Sequence, residues 1–214
     1  MALEPLGRGW APLLERSLGD ETPPRGPSWI DGTIRYLDEL VLWNQKTDLT
    51  AARSAEELVD LSLADAWVLA RTAPTEGAWV DVGSGAGAPG LVLALLCPDV
   101  RMTLVEPKDR RVSFLRTMIG KLGLRGVAVE RGRSDRLANA AWDHAVSRAT
   151  LPPGEWLREG MRLARTSVWV LLARDEPPVL DGCRVDRDVR YDWALTHVPR
   201  RALRYVRYGE GGRS

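Results

Sequence analysis

The stretch "AWVDVGSGAGAPG", residues 78–90, sets a short apolar run against a turn that holds four glycines and a proline. "AWVDV" reads as a buried strand ended by the turn, and Pro89 suits the first helical position of "GLVLALLC", where its missing N–H costs nothing. A strand, a glycine turn and a helix in that order bring backbone N–H groups and the positive end of a helix to the carboxyl edge of a parallel sheet. A nucleotide-like ligand fits there, although glycine turns also form simply to let a strand and a helix pack closely.

The same rhythm runs on along the chain. "RMTLVE" (101–106) reads as a second strand, followed by a helix over 108–123 with Val112, Leu115, Met118, Ile119 and Leu122 inward and Gly123 as its stop. Strands are predicted at 126–131, 142–149 and 167–174, separated by helix-like segments at 134–140 and 153–165. Ahead of Ala78, Ser28 opens a helix to about Gln45, and Ser54 with Glu57 forms a capping box for another to about Arg71. The tail alternates with period two in "CRVDRDVRYDW" and "ALRYVRYG", which predicts an antiparallel hairpin at one sheet edge. The expected fold is α/β: a doubly wound, mostly parallel seven-stranded sheet with that hairpin and an N-terminal helical extension. Residues 1–27 read as a flexible leader with a short helix around Trp10, Leu13, Leu14 and Leu18. Residues 28–214 read as a single domain, with helices over 28–75 and the core over 78–208.

Composition narrows the function classes. A chain of 214 residues, 44% apolar and 28% charged, is long enough for a proper core. It shows neither a membrane span nor a signal peptide, so a cytoplasmic location is expected. Cys97 and Cys183 stand far apart and histidine is scarce, which suggests neither a zinc site nor a disulfide framework and predicts two buried thiols. Net charge is +1, which argues against a protein that merely coats nucleic acid. Basic residues nonetheless crowd locally: between Lys108 and Arg136 nine Lys/Arg face three acids.

Two carboxylates narrow the ligand. Glu106, twenty-three residues after Gly83, ends the second strand, where it can take both hydroxyls of a ribose. Gly83, Gly85 and Ala88 satisfy a loose dinucleotide fingerprint. Asp81 lies two residues before the first glycine, where it would repel a pyrophosphate and welcome a cation. S-adenosylmethionine carries an ammonium and a sulfonium and no phosphate, and it fits better than a dinucleotide.

"WNQKTDLTA" (43–51), "WVDVGSGAGAPGLVLAL" (79–95), "VEPKDRRVSFLR" (105–116), "GRSDRL" (132–137) and "AVSRAT" (145–150) come in the order and spacing of the RsmG/GidB family, and the chain resembles it over about residues 30–207. Members are bacterial methyltransferases of Rossmann-like fold that use S-adenosylmethionine to methylate N7 of a guanine in 16S rRNA of the small ribosomal subunit. The resemblance implies that Gly83 and Ala88 line the methionine end, Glu106 holds the ribose, Ser134 and Asp135 flank the adenine, and Arg148 closes the site. Related proteins carry a histidine and, three residues later, an Asp-Ser pair where "SLADA" has Ser62, Asp65 and Ala66. They also carry an asparagine at the position of Asp48 and a lysine at that of Arg174.

Guanine N7 has an in-plane lone pair and no proton, so methylation there needs alignment and no general base. His144 and His197 accordingly form no acid–base pair, and His144 reads as a core residue. Arg148, at the end of a central strand, is the expected positioning residue. Candidate RNA contacts are Lys108, Arg110, Arg111 and Arg116 on the helix after Glu106, with Arg200, Arg201 and Arg204 near the tail; a solvated helix face is the plain alternative for such charges. The protein is expected to act as a monomer, without a metal or a membrane, on the small subunit. The alternatives are a methyltransferase of the same build acting on another RNA or a small molecule, a non-catalytic homologue and, more distantly, a dehydrogenase.

Overall fold

The computed structural model describes residues 3–19 and 28–208. Seven strands form one sheet: β1 (Ala78–Val82), β2 (Arg101–Glu106), β3 (Val127–Arg131), β4 (Trp142–Ser147), β5 (Ala164–Leu172), β6 (Cys183–Asp192) and β7 (Pro199–Arg207). Their order is β3-β2-β1-β4-β5-β7-β6. The first five run parallel, and β7 enters antiparallel between β5 and β6. The predicted hairpin is there, but its second strand, not its first, joins the sheet, which leaves charged β6 at the edge.

Alternation along each strand builds two cores. Trp79, Met102, Leu104, Val146, Trp169 and Ala202 face a thick helical layer, while Val80, Val105, Ala145, Val168, Val170 and Leu203 face α7 (Pro153–Leu163). The helical layer comprises α1 (Ala11–Leu18), α2 (Ser28–Asn44), α3 (Ala55–Val59), α4 (Asp65–Thr72), α5 (Gly90–Leu96) and α6 (Asp109–Leu122). α3 and α4 are joined by a π-helical turn, Asp60–Ala64, where the sequence suggested one unbroken helix. Ser54 Oγ accepts from Glu57 N as a capping box requires, and Gly123 closes α6 at φ +64°. The side chain of Ser28 lies outside the described residues.

Four sequence expectations are corrected. The leader is not loose over residues 3–19: a 3₁₀ turn, Gly7–Trp10, leads into α1, and Trp10 and Leu14 are fully buried in the helical core. Residues 1–2 and 20–27 lie outside the described residues. The segment 134–140 makes only a 3₁₀ turn, Ser134–Arg136, because Leu137 is its one buried residue and no apolar stripe exists to seat a helix. β4 ends at Ser147, so Arg148 lies just beyond the sheet edge. α7 stops at Leu163 and β5 begins at once. Among the described residues no helix is long and apolar enough to cross a membrane. Both cysteines are buried, and neither forms a disulfide among the described residues.

Candidate functional site

The carboxyl ends of β1, β2 and β4 frame the site. β2 pins the glycine turn: Gly83 N and Ser84 N donate to Val105 O at 2.8 and 3.1 Å. Gly83 has φ +73°, and a Cβ there would lie 2.6 Å from Thr150 Cγ2, so a side chain is excluded by both conformation and space. Thr150 Oγ1 and Ser147 Oγ both donate to Val82 O, at 3.0 and 2.8 Å, tying the loop after β4 to the end of β1.

Glu106 is 2% exposed. Its Oε2 accepts from Gly85 N at 3.0 Å and its Oε1 from Lys108 N at 2.9 Å, so backbone donors on both sides fix the carboxylate. Each oxygen keeps a further lone pair for a ligand hydroxyl.

Two clefts meet over this turn. One, of about 400 Å³, lies under the helical layer and is lined by Tyr36, Ser62, Gly85, Ala88, Glu106 and Arg148. The other, of about 710 Å³, lies toward α7 and is lined by Ser134, Asp135, Glu155 and Glu159. Gly83, Pro107 and Thr150 line both. The structure therefore gathers Gly83, Gly85, Ala88, Glu106, Ser134, Asp135 and Arg148 around one divided trough.

Asp81 is the exception. Alternation turns it to the helical face, where its Oδ2 accepts from Gly90 N at 3.0 Å at the start of α5. It is 1% exposed and lines neither cleft, while its Oδ1 is buried with no hydrogen-bond partner among the described residues. Burial pushes its pKa up to about 6. Contact with a cationic ligand group, expected from its position in sequence, is not what this geometry provides.

Arg148 is anchored from below. Its NH1 donates to Leu61 O at 2.6 Å and to Asp65 Oδ2 at 3.0 Å. Asp65, 2% exposed, accepts on Oδ1 from Tyr191 Oη at 2.7 Å and Trp193 Nε1 at 3.3 Å. Burial, with the Asp65 charge beside it, drives the Tyr191 phenol far above its ordinary pKa. The π-helical turn carries Leu61 and delivers Asp65, and π-turns are frequent at functional sites. Nearby Asp60 accepts from Leu195 N, Thr196 N and Thr196 Oγ1, fastening the loop before β7.

The expected RNA contacts separate into groups. Lys108, Arg110 and Arg116 are exposed. Arg111 instead bends into the first cleft, donating from Nε and NH2 to Asp48 O. Arg201 makes a two-point bond with Asp188 at 2.8 and 2.6 Å, and Arg204 pairs with Asp186 at 3.3 Å; both are engaged by β6 rather than presented to a ligand. Arg200 lies 3.9 Å over the Trp193 ring, at the mouth of a third pocket beside Arg148. His144 is a core residue as expected, its Nδ1 2.8 Å from Ser167 Oγ and its pKa lowered by burial.

Several participants carry no signal in the sequence. Tyr36 lines the first cleft and donates to Ala86 O at 3.0 Å, with burial pushing its phenol up to about 12; within the apolar spacing of α2 nothing sets it apart. Arg162, on α7, donates to Ser134 O, Leu137 O and Asn139 Oδ1 while Glu159 holds its other edge. In sequence it is one more arginine on an amphipathic helix.

A family model described as rRNA small subunit methyltransferase G matches residues 30–175. A protein from Halorhodospira halophila bearing the name ribosomal RNA small subunit methyltransferase G is 43% identical over 117 residues, 55% of this chain and 56% of that one. One from Xylella fastidiosa strain M23 is 38% identical over 123 residues, 57% and 58%. The chain thus spans a little over half the length of these relatives. The match is longer for a protein of the same name from Anaeromyxobacter dehalogenans strain 2CP-C, 37% identical over 186 residues, 81% of this chain and 86% of that one. Among solved structures, M. jannaschii TYW2 in complex with AdoMet aligns with a TM-score of 0.52 at 10% identity, covering 69% of this chain and 76% of that one. A SAM-dependent methyltransferase from Aquifex aeolicus aligns at 0.50 and 16% identity, covering 70% and 92%. At such identities these two speak to the fold alone.

Proposed function

The chain belongs to the rRNA small subunit methyltransferase G family, and on that premise we propose that it transfers a methyl group from S-adenosylmethionine to N7 of a guanine in 16S rRNA of the small ribosomal subunit. The observation that carries the cofactor half is the trough at Glu106. A buried carboxylate with lone pairs to spare sits beside the glycine turn and holds its Gly85 N–H. Glu106 would hold the ribose hydroxyls, Gly83, Gly85 and Ala88 the methionine end, and Ser134 with Asp135 the adenine. When bound, the cofactor supplies a methyl on positively charged sulfur, and the S–C electron pair returns to sulfur as the bond to N7 forms.

What the protein contributes is orientation. N7 loses no proton, and the groups beside the first cleft suit that chemistry: Tyr36 stays protonated near neutral pH, and both Asp65 oxygens are already engaged. Arg148, fixed by Asp65 and Leu61 O, positions the acceptor beside the donor cleft. The fixed dipoles of the glycine turn favour alignment over acid–base work. Lys108, Arg110 and Arg200 supply phosphate contacts, which makes RNA binding fall steeply with salt. The protein acts in the cytoplasm, as a monomer.

The test is mass spectrometry of 16S rRNA nucleosides. Loss of one 7-methylguanine in a deletion strain, restored by the purified protein with S-adenosylmethionine, is expected. Unchanged 7-methylguanine alongside cofactor binding would shift the acceptor to another RNA or a small molecule, Ser62 and Ala66 being among the positions that depart from the family pattern, with Asp48 and Arg174. Binding without turnover would leave a non-catalytic homologue.

A further inference from the structure

A third pocket, of about 250 Å³, opens at the carboxyl ends of β4 and β5. It shares Leu61, Arg148 and Ala149 with the donor cleft, so the Arg148 side chain is part of the partition between the two. Its volume falls below the roughly 300–1,000 Å³ that encloses a drug-sized ligand, which suits a single flat ring system. Trp156, Val170, Leu172 and Trp193 give it apolar and aromatic walls, and its polar lining is Asp65, Ser147, Arg148, Asp175 and Arg200. Unstacked RNA bases are held in this way, against aromatic rings with a few placed polar groups.

We infer that this pocket receives the acceptor base and that Arg148 selects guanine there through its O6 atom. The inference rests on the RNA-methylation reading above and names the acceptor subsite of that reading. Arg148 spends NH1 on Leu61 O and Asp65 Oδ2, while its Nε and NH2 donors make no hydrogen bond among the described residues. Guanine presents O6, an acceptor, beside N7 on one edge; adenine presents an N6 amino donor at the same place. One donor on O6 leaves the N7 lone pair free to attack, and the same donor meets an amino group if adenine enters. Asp65 is the positioning residue: it takes no proton and fixes the guanidinium that reads the base.

Two measurements test this, both at saturating S-adenosylmethionine. The first is Ala173→Trp, an exposed position that lines this pocket and neither cofactor cleft. Methylation of small subunits is expected to fall at least about tenfold in kcat/KM while S-adenosylmethionine affinity stays within twofold of wild type. The second uses subunits reconstituted with 2-aminopurine, which lacks O6 and keeps N7, in place of the target guanine. Wild type should lose about tenfold or more on this substrate, whereas Arg148→Met, impaired on guanine, should lose no more than twofold further. An Ala173→Trp enzyme of undiminished activity, or equal losses on 2-aminopurine with and without Arg148, overturns the inference. A wild-type enzyme that methylates no small subunit overturns the functional reading, and this inference with it.

Discussion

Glu106 and Asp81 end or nearly end neighbouring strands, both about 2% exposed or less, yet they serve different ends. Glu106 accepts two backbone N–H bonds as a carboxylate. Glu106→Gln replaces one acceptor oxygen with an amino donor that faces either Gly85 N or Lys108 N, and it forfeits a charge-assisted bond of about 1.5–3 kcal/mol. Calorimetry should show S-adenosylmethionine binding weakened about 10- to 100-fold; unchanged affinity would remove Glu106 from the site. Asp81 is a stability matter instead. Its carboxyl titrates near 4 in an unfolded chain and at about 6 in the fold, so between these values the folded protein keeps a proton the unfolded one has lost. Below about pH 4 both forms are protonated and the group costs nothing. As pH rises through about 6 the fold loses about 3 kcal/mol from this group. Urea unfolding from pH 4 to 7 should therefore show wild type losing ground to Asp81→Asn as pH rises, with little further change above about 7. A pH-independent difference would refute the assignment.

At the scale of elements, the loop that meets the second cleft has almost no core of its own. Ser134 and Asp135 are placed by Arg162, whose donors reach Ser134 O, Leu137 O and Asn139 Oδ1 across 23 to 28 residues. Arg162→Ala should lower stability by about 1–3 kcal/mol and weaken S-adenosylmethionine binding while leaving the far-ultraviolet dichroism of the sheet unchanged. Wild-type affinity in that variant would show that the loop holds itself. The same element shows where sequence stops being informative. Strands β1, β2, β4 and β5 were legible because their apolar runs are bounded by turns, and α6 because its stripe ends at Gly123. The polar run 134–140 carries no periodicity, and it was the hydrogen bonds of a residue on α7 that set its shape. The π-helical turn at Asp60–Ala64 was invisible for another reason: residues 62–70 are buried on every side, so no single apolar stripe records the extra residue in the turn. In sequence Asp65 falls at the helical spacing of Leu58, Leu61 and Val68, a carboxylate among apolar residues. Its partners Tyr191 and Trp193, more than a hundred residues away, belong to a strand and loop whose place depends on β7 entering the sheet.

At the scale of the whole molecule the sheet is covered unequally: among the described residues six helices lie on one face and α7 on the other. The first cleft, proposed above to take the methionine end of the donor, lies on the thick side, closed by residues of α2, the π-helical turn and the 49–51 loop. That layer is itself clamped at its outer end. Trp10 is fully buried, its Nε1 donates to Asp38 Oδ1 at 2.7 Å, and Gly7 N reaches the same oxygen at 3.1 Å. The segment that composition marked as a loose leader is therefore a wedge against α2, the helix that carries Tyr36 into the cleft. Trp10→Ala removes a large buried ring and leaves a cavity, a change that costs about 3–5 kcal/mol. A clear drop in melting temperature is expected. So is a weaker stabilisation by added S-adenosylmethionine, because a cofactor protects only as far as it binds the folded form. A loosely tethered leader would leave both readings at wild-type values. The conservative Trp10→Phe, which keeps most of the ring and loses the bond to Asp38, should fall between the two and so separate the contribution of packing from that of the hydrogen bond.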